Sequence, residues 1–264
     1  MVSKIGIDAG GSLIKVAYED NRALVFKTFS EMDLLLEWLN GISLETELYL
    51  TGGKAGYLQQ IIKQKSHIKE EFQAIVDGAR PLLVQEHGSI PDNFLITSIG
   101  TGTSVFHVTD GSFSRLLGSG IGGGTLMGLG KLLSGKTAFH DIVALAAKGN
   151  HQNSDLLVKN IYAPSEAPLL GDLTAANFGK AHINEQATVE DHLASLIQLI
   201  GETTISLAGQ AAVATGVEKI IFVGSTLNGN EPLKKVLSSF QEMMSYEPIF
   251  LDNGAYVGAV GSLI

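Results

Sequence analysis

The chain has no cysteine among its 264 residues. Disulfides and thiolate-held metal sites are therefore excluded, and the composition agrees with a reducing compartment. An excess of positive charge is lacking too: 18 Lys and Arg against 27 Asp and Glu leave a formal charge of −9. General nucleic-acid binders and binders of anionic membranes need basic patches, so this balance argues against both. No basic-then-apolar segment opens the chain, which enters strand-like sequence at Lys4-Ile5. The nearest thing to a membrane span, 192–216, carries Gln198, Glu202 and Gln210 and many small residues, the composition of a buried helix. The expectation is a cytoplasmic protein. The histidines show no His-x-x-x-His spacing, which leaves no case for a metal site built on them. Its Ser-Gly turns lack the strand–Gly-x-Ser-x-Gly–helix context of a hydrolase elbow. Gly120-x-Gly122-x-x-Thr125 lacks the third glycine and the later acid of a dinucleotide fingerprint.

What is present is a glycine turn used three times. The first follows the opening strand: Ile5-Gly6-Ile7-Asp8-Ala9-Gly10-Gly11-Ser12-Leu13-Ile14-Lys15. A glycine pair lets backbone N–H groups approach an anion closely, and an acid just before it suits Mg²⁺. Ordinary hairpins use Gly-Gly as well. The second turn, Gly100-Thr101-Gly102-Thr103-Ser104, sits between strand-like 94–99 and 104–109. The third, Gly224-Ser225-Thr226, ends the apolar run 220–223. Three such turns in order, each after a β-rich run, point to a nucleotide site with two phosphate walls.

Periodicity places strands at 4–8, 13–19, 23–28 and 47–50, with helices at about 31–40, 54–64 and 69–87. Pro81 predicts a kink or break in the last of these. From about Pro91 the pattern restarts, with strands at 94–99, 104–109 and 113–117, then a glycine cluster at 118, 120 and 122–124 leading into a helix. Helices are expected at 141–148, 187–215 and about 231–243, a loop at 163–172, and strands at 219–223 and 248–252. Small residues at 254, 258 and 262 share one face of a terminal helix and permit close approach of another helix. Strand–glycine turn–strand opens both parts, so two βββα-type halves, 1–91 and 92–264, are expected with a cleft between them. The terminal helix 254–264 is expected near that cleft.

The blocks Asp8-Ala9-Gly10-Gly11-Ser12-Leu13-Ile14-Lys15, Gly100-Thr101-Gly102-Thr103-Ser104, Gly171-Asp172-Leu173-Thr174-Ala175-Ala176-Asn177-Phe178-Gly179 and Asn253-Gly254-Ala255-Tyr256-Val257-Gly258-Ala259 resemble, in order, a type II pantothenate kinase. That family lies in the acetate and sugar kinase/Hsp70/actin superfamily. The 171–179 block is the most specific, because generic phosphate chemistry does not demand it. The resemblance implies an α/β fold of two actin-like (ribonuclease H-like) halves, with mixed sheets flanked by helices and an ATP cleft between them. It implies ATP-dependent phosphorylation of pantothenate, the first step of coenzyme A synthesis, with Mg²⁺ and a homodimer. Two rivals remain: another small-molecule kinase of the superfamily, such as one acting on an amino sugar, and a nucleotide-switched module of the actin/Hsp70 type.

Chemistry and resemblance together nominate residues. Gly10, Gly11, Ser12, Thr101 and Gly102 are candidates to cradle phosphate, with Lys15 as a charge partner and Asp8 as the Mg²⁺ holder. The bland alternatives are a solvated strand lysine and a turn-capping aspartate. Gly122, Gly123 and Gly124, feeding a helix at Thr125, offer an anion site at a helix N-terminus, or merely a tight helix–strand crossing. The resemblance places Phe139 on the adenine, where a core phenylalanine is the alternative, and Gly224 and Ser225 against the adenosine. It gives Glu71, of the Glu71-Phe72 pair, the role of general base. Composition alone reads Glu71 as part of a solvated charge run, with Glu70 as its register rival. The resemblance also sets Arg115 against the pantothenate carboxylate, where a surface arginine is the alternative.

Overall fold

The structure, a computed structural model, describes residues 2–168, 170–241 and 243–264. Positions 169 and 242, inside the expected loop at 163–172 and the expected helix at about 231–243, lie outside the described residues. In chain order, the first part forms β1 (Lys4–Ala9), β2 (Ile14–Asp20), β3 (Ala23–Phe29), α1 (Met32–Asn40), β4 (Glu47–Thr51), α2 (Ala55–Ile61), β5 (Ser66–Ile68) and α3 (Glu71–His87). The second part forms β6 (Phe94–Ile99), β7 (Thr103–Thr109), β8 (Ser112–Ser119), α4 (Gly123–Ser134), α5 (Phe139–Ala146), β9 (Leu156–Leu157), α6 (Val158–Tyr162), β10 (Thr174–Ala176), α7 (Val189–Thr215), β11 (Lys219–Val223), α8 (Glu231–Ser238), β12 (Glu247–Phe250) and α9 (Val257–Ser262).

The fold is α/β, with two mixed five-stranded sheets of the same plan. The first runs β3-β2-β1-β4-β5 and the second β8-β7-β6-β11-β12. In each, the three meander strands pair antiparallel and the last two join in parallel. The echo of strand–glycine turn–strand therefore extends to the whole strand order.

Period-2 alternation sorts each strand between two layers. Ile5, Ile7 and Ala9 of β1 join Leu48 and Leu50 of β4 against α1 and α2. The opposite face of β1 carries Gly6, where a Cβ would overlap the Ala259 carbonyl of α9. In the second sheet Leu95, Val105, Ile220 and Phe222 face α4, α5, α7 and α8. Phe94, Ile96, Phe106, Val108, Ile221 and Val223 face α3 and α9. The layers thus run helices, sheet, α3 with α9, sheet, helices. Although α3 comes from the first part, it shares its core with the second sheet, while α9, from the second part, packs across the first.

The helices α3 and α9 meet backbone to backbone. A Cβ on Gly78 would overlap the Val257 carbonyl, and one on Gly261 the Ala74 carbonyl. The expected stack of 254, 258 and 262 is not what meets α3. Gly254 lies in a 3₁₀ turn before the helix, and Gly258 faces Asp8 instead. Nor does Pro81 break α3. Its buried residues Ala74, Val76, Gly78, Ala79, Leu82 and Leu83 continue on both sides of the proline. Burial of that face offsets the lost hydrogen bond, a cost of about 3 kcal/mol.

Candidate active site

The β1–β2 and β6–β7 turns converge on a cavity of about 430 Å³ between the two sheets. Asp8, next to last in β1, stands opposite Lys15 of β2 in the antiparallel register. The lysine Nζ lies 3.4 Å from the Asp8 Oδ2, and the two side chains are only 12% and 16% exposed. Three glycines make room for this carboxylate. Gly258 of α9 presents its Cα where a Cβ would lie 3.0 Å from the Asp8 Cγ, Gly10 follows in the turn, and Gly52, at φ +87°, closes the far side. Burial pushes the Asp8 carboxyl up, and Lys15 pulls it back down. A buried acid held chiefly by one lysine is a group short of positive charge.

The second turn is fastened from behind. The Gly100 carbonyl accepts hydrogen bonds from the Gly123 amide at 2.8 Å and from the Thr226 hydroxyl at 2.9 Å. The Gly124 amide donates to the Thr101 carbonyl at 2.8 Å. Two of the three amides at 122–124 thus hold the loop in place. A Cβ on Gly122 would press within 2.9 Å of Gly102, so this run is glycine in order to lie against the turn. The positive end of α4 backs the loop rather than facing the cavity. Thr125 bonds the Gly120 carbonyl at 3.1 Å, also outside the cavity. Phe139, half-buried at the start of α5, packs against the core of the second part.

Gly224 and Ser225 line the cavity. Gly224 adopts φ +109° with its amide on the Gly254 carbonyl, and a Cβ there would overlap the Ile99 carbonyl, so only glycine fits. Across the mouth the Ser12 and Thr101 hydroxyls lie 3.1 Å apart, joining the two hairpins directly.

Glu71 opens α3 and lines the cavity, and Glu70 is the residue before it. The Glu70 carboxylate accepts from the Gln73 amide at 2.7 Å as the helix N-cap. Capping occupies Glu70, whereas Glu71 lines the cavity. The Glu71 carboxyl is held above the ordinary range, first by partial burial, then by Asp8 and Glu70, with Lys15 opposing. Arg115 of β8 reaches the same cavity. Its Nε donates to the Ser104 hydroxyl at 3.3 Å, and its guanidinium lies 5.4 Å from the centre of the Phe72 ring.

Of the residues nominated from sequence, Asp8, Gly10, Gly11, Ser12, Lys15, Glu71, Thr101, Gly102, Arg115, Gly224 and Ser225 come together here. Gly122, Gly123, Gly124, Thr125 and Phe139 do not line the cavity. Sequence reasoning missed Ser98, Gly53, Ile75 and Gly258. Only Gly258 carried a signal, its place in a small-residue series, and that suggested helix packing. The 171–179 block lies elsewhere. It supplies β10, sends Asn177 to Glu202 at 2.8 Å, and places the Phe178 amide 2.7 Å from the buried Asp155 carboxylate. Asp172 and Leu173 border a separate cavity of about 1090 Å³.

The Fumble family matches residues 84–264. A type II pantothenate kinase from Oceanobacillus iheyensis is 40% identical over 265 residues, covering 100% of this chain and 99% of the relative. The type II pantothenate kinase of Bacillus cereus strain ZK is 39% identical over 270 residues, covering 100% and 98%. Among solved structures, a ROK family glucokinase from Streptomyces griseus, in complex with glucose and AMPPNP, aligns at a TM-score of 0.52 and 11% identity over 99% of this chain and 98% of its own. A ROK hexokinase from Thermus thermophilus aligns at 0.50 and 13%, over 99% and 97%. The two solved structures share the fold of two actin-like halves with mixed sheets flanked by helices. By full-length similarity to its curated relatives and by its match to the Fumble family, the chain belongs to the type II pantothenate kinases.

Proposed function

We propose that this chain transfers the γ-phosphoryl group of ATP to the primary hydroxyl of pantothenate, giving 4'-phosphopantothenate for coenzyme A synthesis. The observation that carries this reading is the convergence of two glycine hairpins, an acid–lysine pair, a raised glutamate and an arginine free of carboxylate partners among the described residues, all in one cavity. Phosphoryl transfer is mostly positioning and electrostatics, and this set supplies both.

In this reading the turn amides at 10–12 and those of Thr101 and Gly102 hold phosphate oxygens, and Lys15 adds positive charge. Gly224 and Ser225 meet the adenosine. The Asp8 carboxylate fits Mg²⁺, which binds through one or two carboxylates together with substrate phosphates. When bound, the ion supplies positive charge against the phosphate oxygens. Glu71 accepts the substrate hydroxyl proton as that oxygen bonds to the γ-phosphorus. The bond from that phosphorus to the β–γ bridging oxygen breaks, and ADP leaves with the electron pair. Arg115 holds the substrate carboxylate through a charge-assisted bidentate contact. The halves 1–91 and 92–264 are the two walls of this cleft, and the working unit is a cytoplasmic homodimer. No helix among the described residues is long and apolar enough to cross a membrane.

An ADP-release assay with Mg²⁺-ATP tests the reading. Turnover is expected to require pantothenate. Release without an acceptor, or with an amino sugar in its place, overturns the reading. Arg115→Ala is expected to raise the KM for pantothenate by about tenfold or more while the KM for ATP holds, the loss of one charge-assisted contact.

A further inference from the structure

Gly118 belongs to the glycine cluster that the sequence offers, yet it is not needed for any turn. It sits inside β8, in register opposite Ser104 of β7. Its φ is not in the left-handed region, so the backbone itself admits a side chain. What occupies the space of the missing Cβ is the Arg115 guanidinium. A Cβ at 118 would overlap a terminal nitrogen of Arg115 and lie 3.0 Å from its Cζ.

Residues three apart in a regular strand point to opposite faces. Here a β-bulge intervenes. Val105 pairs with Leu117 and Phe106 with Arg115, so Leu116 is an extra residue with no partner of its own. The extra residue shifts the alternation by one and puts Arg115 and Gly118 on the same face, beside Ser104 and Phe106. On that face the guanidinium has three supports. Phe72 of α3 lies 5.4 Å below it and packs on Phe106 with ring centres 5.3 Å apart. Ser104 accepts the Nε hydrogen at 3.3 Å. Gly118 leaves the remaining side open. Among the described residues no carboxylate pairs with Arg115, so the cradle fixes the cation without neutralising it.

We propose that Gly118 is a positioning residue for substrate selection: its missing side chain, with the bulge at Leu116 and the Phe72 ring, sets the Arg115 guanidinium at the angle that reads a carboxylate on the acceptor. The proposal rests on the reading of Arg115 as the carboxylate contact. A methyl at 118 meets the flexible end of a side chain before it meets backbone, the nearest being the Thr103 carbonyl at 3.1 Å. The substitution therefore moves the guanidinium more than it disturbs the sheet.

The test uses the whole enzyme with two acceptors: pantothenate, and the analogue bearing a primary alcohol in place of the carboxylate. Gly118→Ala is expected to raise the KM for pantothenate by about tenfold, the loss of uniform binding through one charge-assisted contact, with kcat and the KM for ATP within about twofold of wild type. The KM for the alcohol analogue is expected to hold. In an Arg115→Ala background the same substitution is expected to add nothing. An unchanged pantothenate KM, an equal rise for both acceptors, or a further rise in the Arg115→Ala background overturns the proposal. If Arg115→Ala alone leaves the pantothenate KM unchanged, the carboxylate contact itself is wrong and the proposal falls with it. If Arg115→Ala raises the KM and Gly118→Ala does not, only the positioning role falls. Should Gly118→Ala fail to fold, Phe72→Leu examines the other wall. A KM rise confined to the carboxylate-bearing acceptor supports the cradle, and equal KM changes for both acceptors overturn it.

Discussion

Glu71→Gln is expected to lower kcat by roughly 10²–10⁴-fold, the usual contribution of a positioned general base. The KM for ATP and the melting temperature are expected to stay close to wild type, because the amide keeps the shape and Glu70 still caps α3. Turnover near the wild-type rate would remove Glu71 from the mechanism. The base also gives kcat an acid limb. It accepts a proton only when ionised, and its pKa is raised above the ordinary 4.5, first by burial and then by Asp8 and Glu70. Activity is present above the raised pKa and lost as pH falls through it, so the limb lies above pH 4.5. The residual activity of Glu71→Gln is expected to lack this limb. A profile with the same limb in both proteins would assign it to another group.

Gly261→Ala is expected to cost about 3 kcal/mol or more, the upper range for overpacking, and to lower the melting temperature by roughly 5–10 °C. The added methyl would enter the contact between α3 and α9, overlapping the Ala74 carbonyl and lying 2.6 Å from the Gly78 amide nitrogen. Backbone on one side and backbone on the other leave no rotamer to yield, so the helices must separate. Activity is expected to fall with stability, because α9 also brings Gly258 against Asp8 and α3 carries Glu71. Gly56→Ala in α2 is the control. Nothing lies within 4 Å of its added Cβ, so it is expected to be neutral or slightly stabilising. Equal melting temperatures for Gly261→Ala and wild type would mean that the crossing is looser than its geometry.

The strands around the glycine turns were legible because apolar alternation and turn chemistry agree there. β1, β2, β6, β7 and β11 fall within a residue or so of their expected bounds. β5, only three residues long at a sheet edge, was missed, since Ser66, His67 and Ile68 carry no apolar alternation and owe their pairing to β4. The glycines were legible as a class but not by role. Gly10 and Gly224 line the cavity, Gly122 braces a loop, and Gly78 and Gly261 set a helix crossing. What separates them is the partner each lies against, and that partner is distant in sequence. The choice between Glu70 and Glu71 was hidden for the same kind of reason. It depends on where α3 starts, and the start is fixed by one hydrogen bond to the Gln73 amide.

The exchange of α3 and α9 between the sheets also bears on how the molecule is made. The Gly6 face of the first sheet is covered by Ala259, Ser262 and Leu263, which lie far downstream of it in the chain. While residues 257–262 are still to be synthesised, a nascent chain has β1 to β5 in hand but not the helix that closes over them. Domains of many proteins complete their cores in order as synthesis proceeds. Here the first sheet waits for a helix made after the whole second sheet, so Asp8 meets its Gly258 wall only once that late segment has been synthesised.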